Sequence, residues 1–90
     1  MAKYASKDEA RPSAKSARAW QELGDAYSAT NRPRRAIPAY QQAVRYDGES
    51  FDAWHNLGWT YLALNQYDRS IEAIQEALRI KPGHARATYN

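Results

Sequence analysis

The stretch Ala53-Trp54-His55-Asn56-Leu57-Gly58-Trp59-Thr60-Tyr61 decides how this chain folds, because the chain carries it twice. Thirty-four residues earlier stands Ala19-Trp20-Gln21-Glu22-Leu23-Gly24-Asp25-Ala26-Tyr27, with Ala, Trp, Leu, Gly and Tyr at the same five places. Extending the shift over residues 17–50 and 51–84 adds Ala29/Ala63, Asn31/Asn65, Arg35/Arg69, Ile37/Ile71, Ala39/Ala73, Gln41/Gln75, Ala43/Ala77 and Arg45/Arg79, so 13 of 34 pairs are identical. Two segments of ordinary composition do not agree to this extent by chance. A fixed period of this length marks a stacked array whose unit is one supersecondary element.

Each repeated position has a physical reason. Trp20, Leu23 and Tyr27 recur at spacings of three and four and share one helical face. Gly24 and Gly58 lie on that face. A glycine there costs about 1 kcal/mol against alanine, so close approach of a partner helix is its expected compensation. Ala36, Ile37, Tyr40, Ala43 and Val44 form a second stripe, copied as Ile71, Ile74, Ala77 and Leu78. The pattern predicts helices over 17–30, 33–46, 51–64, 67–80 and 84–90. Ser16 and Ser50 read as N-caps, and Asp52 suits the positive end of a helix. Asn31 and Asn65 fall in the connecting turns, where asparagine tolerates a left-handed backbone. Pro33 fits a first helical position. Pro38 does not fit its helix, since it removes a hydrogen bond and crowds a carbonyl, and it predicts a bend.

These residues resemble the tetratricopeptide repeat. Trp54-x2-Leu57-Gly58-x2-Tyr61, followed by Ser70, Ile74, Ala77 and Pro82, follows the family pattern, and the first unit differs chiefly in placing Gly48 where Pro82 stands. The resemblance covers residues 17–90 and implies an all-α fold of antiparallel helical hairpins stacked as a short right-handed α-solenoid. Unit 1 is 17–50, unit 2 is 51–84, and Ala85 to Asn90 repeats the register of Phe51 to Asn56 as a truncated start of unit 3. Residues 1–16, with Lys3, Lys7, Asp8, Glu9, Arg11, Pro12 and Lys15 but few apolar anchors, read as a flexible polar tail; a short helix over 3–10 or a basic arm are the alternatives.

The resemblance also implies a function, the binding of a peptide or partner helix in a concave groove lined by the first helix of each hairpin. Carried onto this chain, the lining is Arg18, Gln21, Asp25 and Ser28 from unit 1, Asp52, His55, Trp59 and Leu62 from unit 2, and Arg86 and Tyr89 from unit 3. Trp59 is the expected anchor. It replaces Asp25 of the first unit, stands off the Trp54–Leu57–Tyr61 stripe, and belongs to the residue type most enriched in binding hot spots; packing against a following hairpin is the alternative. One subclass of the family clamps the C-terminal carboxylate of chaperones with Lys and Asn. Here Gln21 and Asp25 stand at two of those places, and Asp25 would repel a carboxylate, although Asn56 and Arg86 suit the clamp. Arrays usually need about three units and a polar cap. Either this chain is a fragment, or the face carrying Ile71, Ile74, Leu78 and Ile80 is covered by another copy. That face predicts self-association into a homo-oligomer as the competing function.

Composition bounds the remaining classes. Ninety residues suffice for one small domain burying about 60–65% of its unfolded surface, which disfavours an enclosed active site. With no cysteine, thiolate chemistry and disulfides are excluded. His55 and His84 are the only histidines and lack ligand-spaced companions, so neither a metal, a cofactor nor catalysis is expected. The four glycines are isolated, so no phosphate loop is formed. The net charge of +3, from 13 basic and 10 acidic residues, is too mixed for a nucleic-acid footprint. Arg32, Arg34, Arg35 and Arg45 do make a basic edge, but Asp47, Glu49, Asp68, Glu72 and Glu76 interleave with it. No apolar run approaches the roughly 20 residues of a membrane span, and no secretory leader is evident, so a cytoplasmic location is expected.

Overall fold

The computed structural model describes residues 14–83 and holds four helices in this span: α1 (Ala14–Ala29), α2 (Pro33–Tyr46), α3 (Phe51–Ala63) and α4 (Tyr67–Ile80). α1 packs on α2 and α3 on α4, giving two hairpins, and α2 packs on α3 to stack them. The expected bounds of α2 and α4 match. α1 already runs at Ala14, so Ser16 is an interior, half-buried residue and not an N-cap. The backbone is helical again at Pro82 and Gly83, where the description ends; the expected helix over 84–90 lies outside it, as does the tail up to residue 13.

Both hairpin turns are built on an asparagine. Asn31 and Asn65 each adopt φ 61°, the left-handed conformation expected of them. Around each, two backbone bonds close the end of the first helix: Asn31 N–H donates to the Ser28 carbonyl at 3.1 Å and Arg32 N–H to Tyr27 at 2.8 Å, while Asn65 donates to Leu62 and Gln66 to Tyr61, both at 2.9 Å. This is the Schellman pattern, in which the left-handed residue lets two otherwise orphaned carbonyls find donors. Pro33 then enters α2 at its start, where no amide hydrogen is needed. Pro38 lies inside an unbroken α2 on its exposed side, where water can reach the carbonyl whose donor it removes. Ser50 caps α3 by accepting from Ala53 N–H at 3.2 Å.

The core is the seam between these helices. Ala36, Tyr40, Leu57, Tyr61 and Ala73 form one buried cluster, with Tyr27, Ile37 and Trp54 packed against it. Full burial of each large side chain is worth about 1.5–3 kcal/mol, while the alanines let the axes approach. The repeated glycines mark that approach. A Cβ on Gly24 would stand 2.6 Å from Tyr40 Cε1, and one on Gly58 would stand 2.5 Å from Ile74 Cδ1. Polar ties fix the register: Ser70 donates to the buried Gly58 carbonyl at 2.8 Å, and across the hairpins Gln41 Nε2 donates to the Tyr61 hydroxyl at 2.9 Å. Trp54 Nε1 donates to the Gly48 carbonyl at 2.8 Å, tying α3 to the loop before it.

Candidate functional site

The first helices of the two hairpins, α1 and α3, wall a cleft with Tyr40 of α2 at its floor. Asp25, Ser28, Tyr40, Asn56, Trp59 and Thr60 line its middle, a space of about 280 Å³. At one end it meets, through Asp25, a second hollow of about 420 Å³ edged by Arg18, Gln21, Glu22, Asp47 and Asp52. At the other end Asn31, Pro33 and Ala63 continue the wall beyond Trp59. The expected residues Arg18, Gln21, Asp25, Ser28, Asp52 and Trp59 therefore lie along one groove. Leu62 is exposed but lines none of these hollows, and Arg86 and Tyr89 lie outside the described residues.

The groove floor is a hydrogen-bonded cluster that crosses the repeat boundary. The Tyr40 hydroxyl donates to Asp25 Oδ1 at 2.5 Å and stands 3.5 Å from Ser28 Oγ; Asn56 Nδ2 reaches the same Asp25 oxygen from α3 at 3.2 Å. Tyr40 is 2% exposed. Burial first, and then its bond to Asp25, push the phenol up to about 12, since both disfavour a phenolate there. Asp25 is thus an acceptor held in place by two helices. The sequence pattern places Asp25 in the groove lining and sets it against a carboxylate, but does not show Tyr40 as the floor; the one signal is that Tyr40 stands where the second unit has Ile74, which puts a hydroxyl at one copy of a core position.

Trp59 is 54% exposed and is nevertheless held. Its indole N–H donates to His55 Nε2 at 2.9 Å, a bond that exists only while this nitrogen keeps its lone pair. His55 stacks in turn on Phe51 with ring centroids 5.2 Å apart, and the ring pair with Trp59 is edge-on at 6.0 Å. Lys81 Nζ lies 5.0 Å over Phe51, at cation–π range. Residues 51, 55 and 59 at spacings of four are therefore a single aromatic ladder on α3.

The proposed end face is less uniform than its sequence suggested. Ile71 is 55% exposed, but Ile74, Leu78 and Ile80 are each half-buried, and Ile74 is turned inward over Gly58. At the opposite end Leu23, read as core, is 41% exposed because no helix precedes α1 to cover it among the described residues. On the outer surface Arg79 bridges Glu49 at 2.9 Å and Glu76 at 3.0 Å, in keeping with a mixed, solvated face. Among the described residues there is no cluster of three metal-ligating side chains, and no helix is long and apolar enough to cross a membrane.

A family model described as tetratricopeptide repeat matches residues 22–85. Among solved structures, the crystal structure of MamA superposes with a TM-score of 0.76 at 35% sequence identity, covering 83% of this chain and 44% of that one. This chain therefore spans less than half the length of MamA. Comparison with curated protein sequences gives no match.

Proposed function

Because the chain belongs to the tetratricopeptide-repeat family and opens a groove between α1 and α3, we propose that it is a protein-interaction scaffold holding a peptide or helix of a partner in that groove. Trp59 carries this reading. A large aromatic side chain standing open beside a fixed polar floor is costly to leave in water and is immobilised before any partner arrives, so little ordering entropy is lost on binding. The groove's chemistry suits recognition and not turnover, since its titratable groups among the described residues are carboxylates, the Arg18 guanidinium and a phenol pushed up to about 12, with no paired nucleophile and base. The test is a nitrogen-resolved NMR titration with a peptide selected against the folded chain. Shifts should concentrate on Asp25, Ser28, Asn56 and Trp59. A map centred on the outer faces of α2 and α4 would overturn the groove.

A second reading is self-association through the ends. Its support is that Leu23 on α1 and Ile71 on α4 are exposed while their counterparts, Leu57 and Ile37, are covered where the two hairpins meet. A second copy stacked end to end would repeat that internal contact. Equilibrium sedimentation should then show a concentration-dependent mass; a monomer at high concentration contradicts it.

A further inference from the structure

We propose that the segment held in the groove is basic, with a lysine or arginine placed against Asp25 and Asp52 and an apolar side chain against Trp59. The inference rests on the groove reading above and specifies its occupant.

Three observations converge on that chemistry. The groove is charged against the rest of the chain: the hollow beside Asp25 is edged by four carboxylates, Glu22, Asp25, Asp47 and Asp52, and one guanidinium, Arg18. Arg18 is spent on Glu22, its Nε 3.6 Å from Oε2, which leaves three carboxylates without a neutralising cation among the described residues. Yet the whole chain is +3, and Arg32, Arg34, Arg35 and Arg45 are absent from this lining. Among the described residues the sign of the groove is therefore local and opposite to that of the molecule, which favours approach of a cationic segment.

Asp25 is also oriented for an incoming donor. Tyr40 Oη and Asn56 Nδ2 both donate to Oδ1. Oδ2 has no hydrogen-bond partner among the described residues and lies on a residue that edges both hollows. A guanidinium or ammonium meeting Oδ2 completes the carboxylate without displacing an existing bond, and a charge-assisted contact of this kind is stronger than a neutral one. An acidic segment would meet those three carboxylates with only Arg18, already paired with Glu22, to offset them.

Finally, the apolar wall follows at the right interval. Along α1, Arg18 to Ser28 spans about 15 Å, which accommodates an extended segment of about four or five residues. The cation lies at the Asp52 end and the apolar side chain beside Trp59.

The experiment is selection of a random heptapeptide display library against the intact chain, followed by affinity measurement of the winning synthetic peptides. The expected winners carry at least one lysine or arginine together with an aromatic or large aliphatic residue. They bind more weakly as salt rises and lose about tenfold in affinity to Asp25→Asn/Asp52→Asn, since the asparagine carbonyl keeps the internal acceptor while the charge is gone. Circular dichroism of the double variant should match that of the parent chain. Acidic or uncharged winners, or no enrichment at all, overturn the inference. If such winners are still lost on Trp59→Ala, the groove stands and only its charge preference falls; if winners of any charge ignore Trp59→Ala, the groove reading itself falls. A mass that doubles with concentration and reverts to monomer in the aspartate double variant would assign the groove to a second copy and overturn the basic partner.

Discussion

Ile37 and Ile71 are the same residue type at the same place in two consecutive hairpins, and yet Ile37 packs against the core while Ile71 is 55% exposed. The reverse holds for Leu23 and Leu57, at 41% and 3% exposure. Neither difference is written in the residue. A repeat touches only its neighbours, so α2 has α3 to cover it, and α3 has α2, whereas among the described residues no helix covers the outer sides of α1 and α4. Tyr40 and Ile74 show the same contrast with a chemical change added. Both lie over the glycine of their hairpin, but Tyr40 is sealed beneath the second hairpin and its hydroxyl serves the groove, while Ile74 is half-buried and apolar.

The largest expected effect follows from Tyr40. Truncation to alanine should cost about 3–5 kcal/mol, as for large aromatic side chains in cores, and Ile74→Ala no more than about 2, because its site is partly open and can relax. Denaturant midpoints would check the order, and equal losses would mean that the hairpins are equally covered. Next come the isoleucines. Ile37→Glu sets a charge at a half-buried position against the core and should cost about 1–3 kcal/mol, whereas Ile71→Glu should stay within about 0.5 kcal/mol in a monomer. The glycines separate the hairpins by less. Gly24→Ala drives a Cβ into the Tyr40 ring, which is fixed beneath α3, and overpacking of about 1–3 kcal/mol should outweigh the roughly 1 kcal/mol gained in helix propensity. Gly58→Ala would set its Cβ 2.5 and 2.7 Å from Ile74 Cδ1 and Cγ1 and 3.3 Å from the Ile74 backbone nitrogen; Ile74 is stiff at χ1 but lies at a half-buried place with room to shift, so the net cost should be about 1 kcal/mol, smaller than for Gly24→Ala.

The smallest effect is in alkali. The Tyr40 phenol is held up to about 12 in the folded chain against 10.0 for a free tyrosine. The unfolded state therefore loses this proton first as pH rises. The stabilisation is fully present below about pH 10 and is lost between about 10 and 12. Thermal unfolding across that window should show a steeper decline in the parent chain than in Tyr40→Phe.

Much of this is legible in the sequence. Asparagine at positions 31 and 65, in the connecting turns, predicts a left-handed backbone, and both residues are left-handed, because a helix must end locally and few side chains tolerate that conformation. The bounds of α2 and α4, bracketed by those turns, followed. Ser50 capped as expected and Ser16 did not, since a serine before an alanine-rich run can equally well continue a helix that has already begun. The groove was legible as a set of helix positions on α1 and α3, but its floor was not. Tyr40 belongs by spacing to a core stripe; only the three-dimensional meeting of α1, α2 and α3 turns its hydroxyl onto Asp25 and brings Asn56 to the same oxygen. Ile74 fell short for the same reason. Its stripe marked it as part of a bare face, whereas Gly58 gives it a place to fold inward.

The central claim is that binding occurs in the groove and not on the end face, and two substitutions decide between them. For a peptide selected against the folded chain, isothermal titration with Trp59→Ala and Ile71→Glu should show a loss of at least about thirtyfold for the first, the scale of a hot-spot aromatic, and an unchanged affinity for the second. An affinity that survives Trp59→Ala but collapses on Ile71→Glu would contradict it.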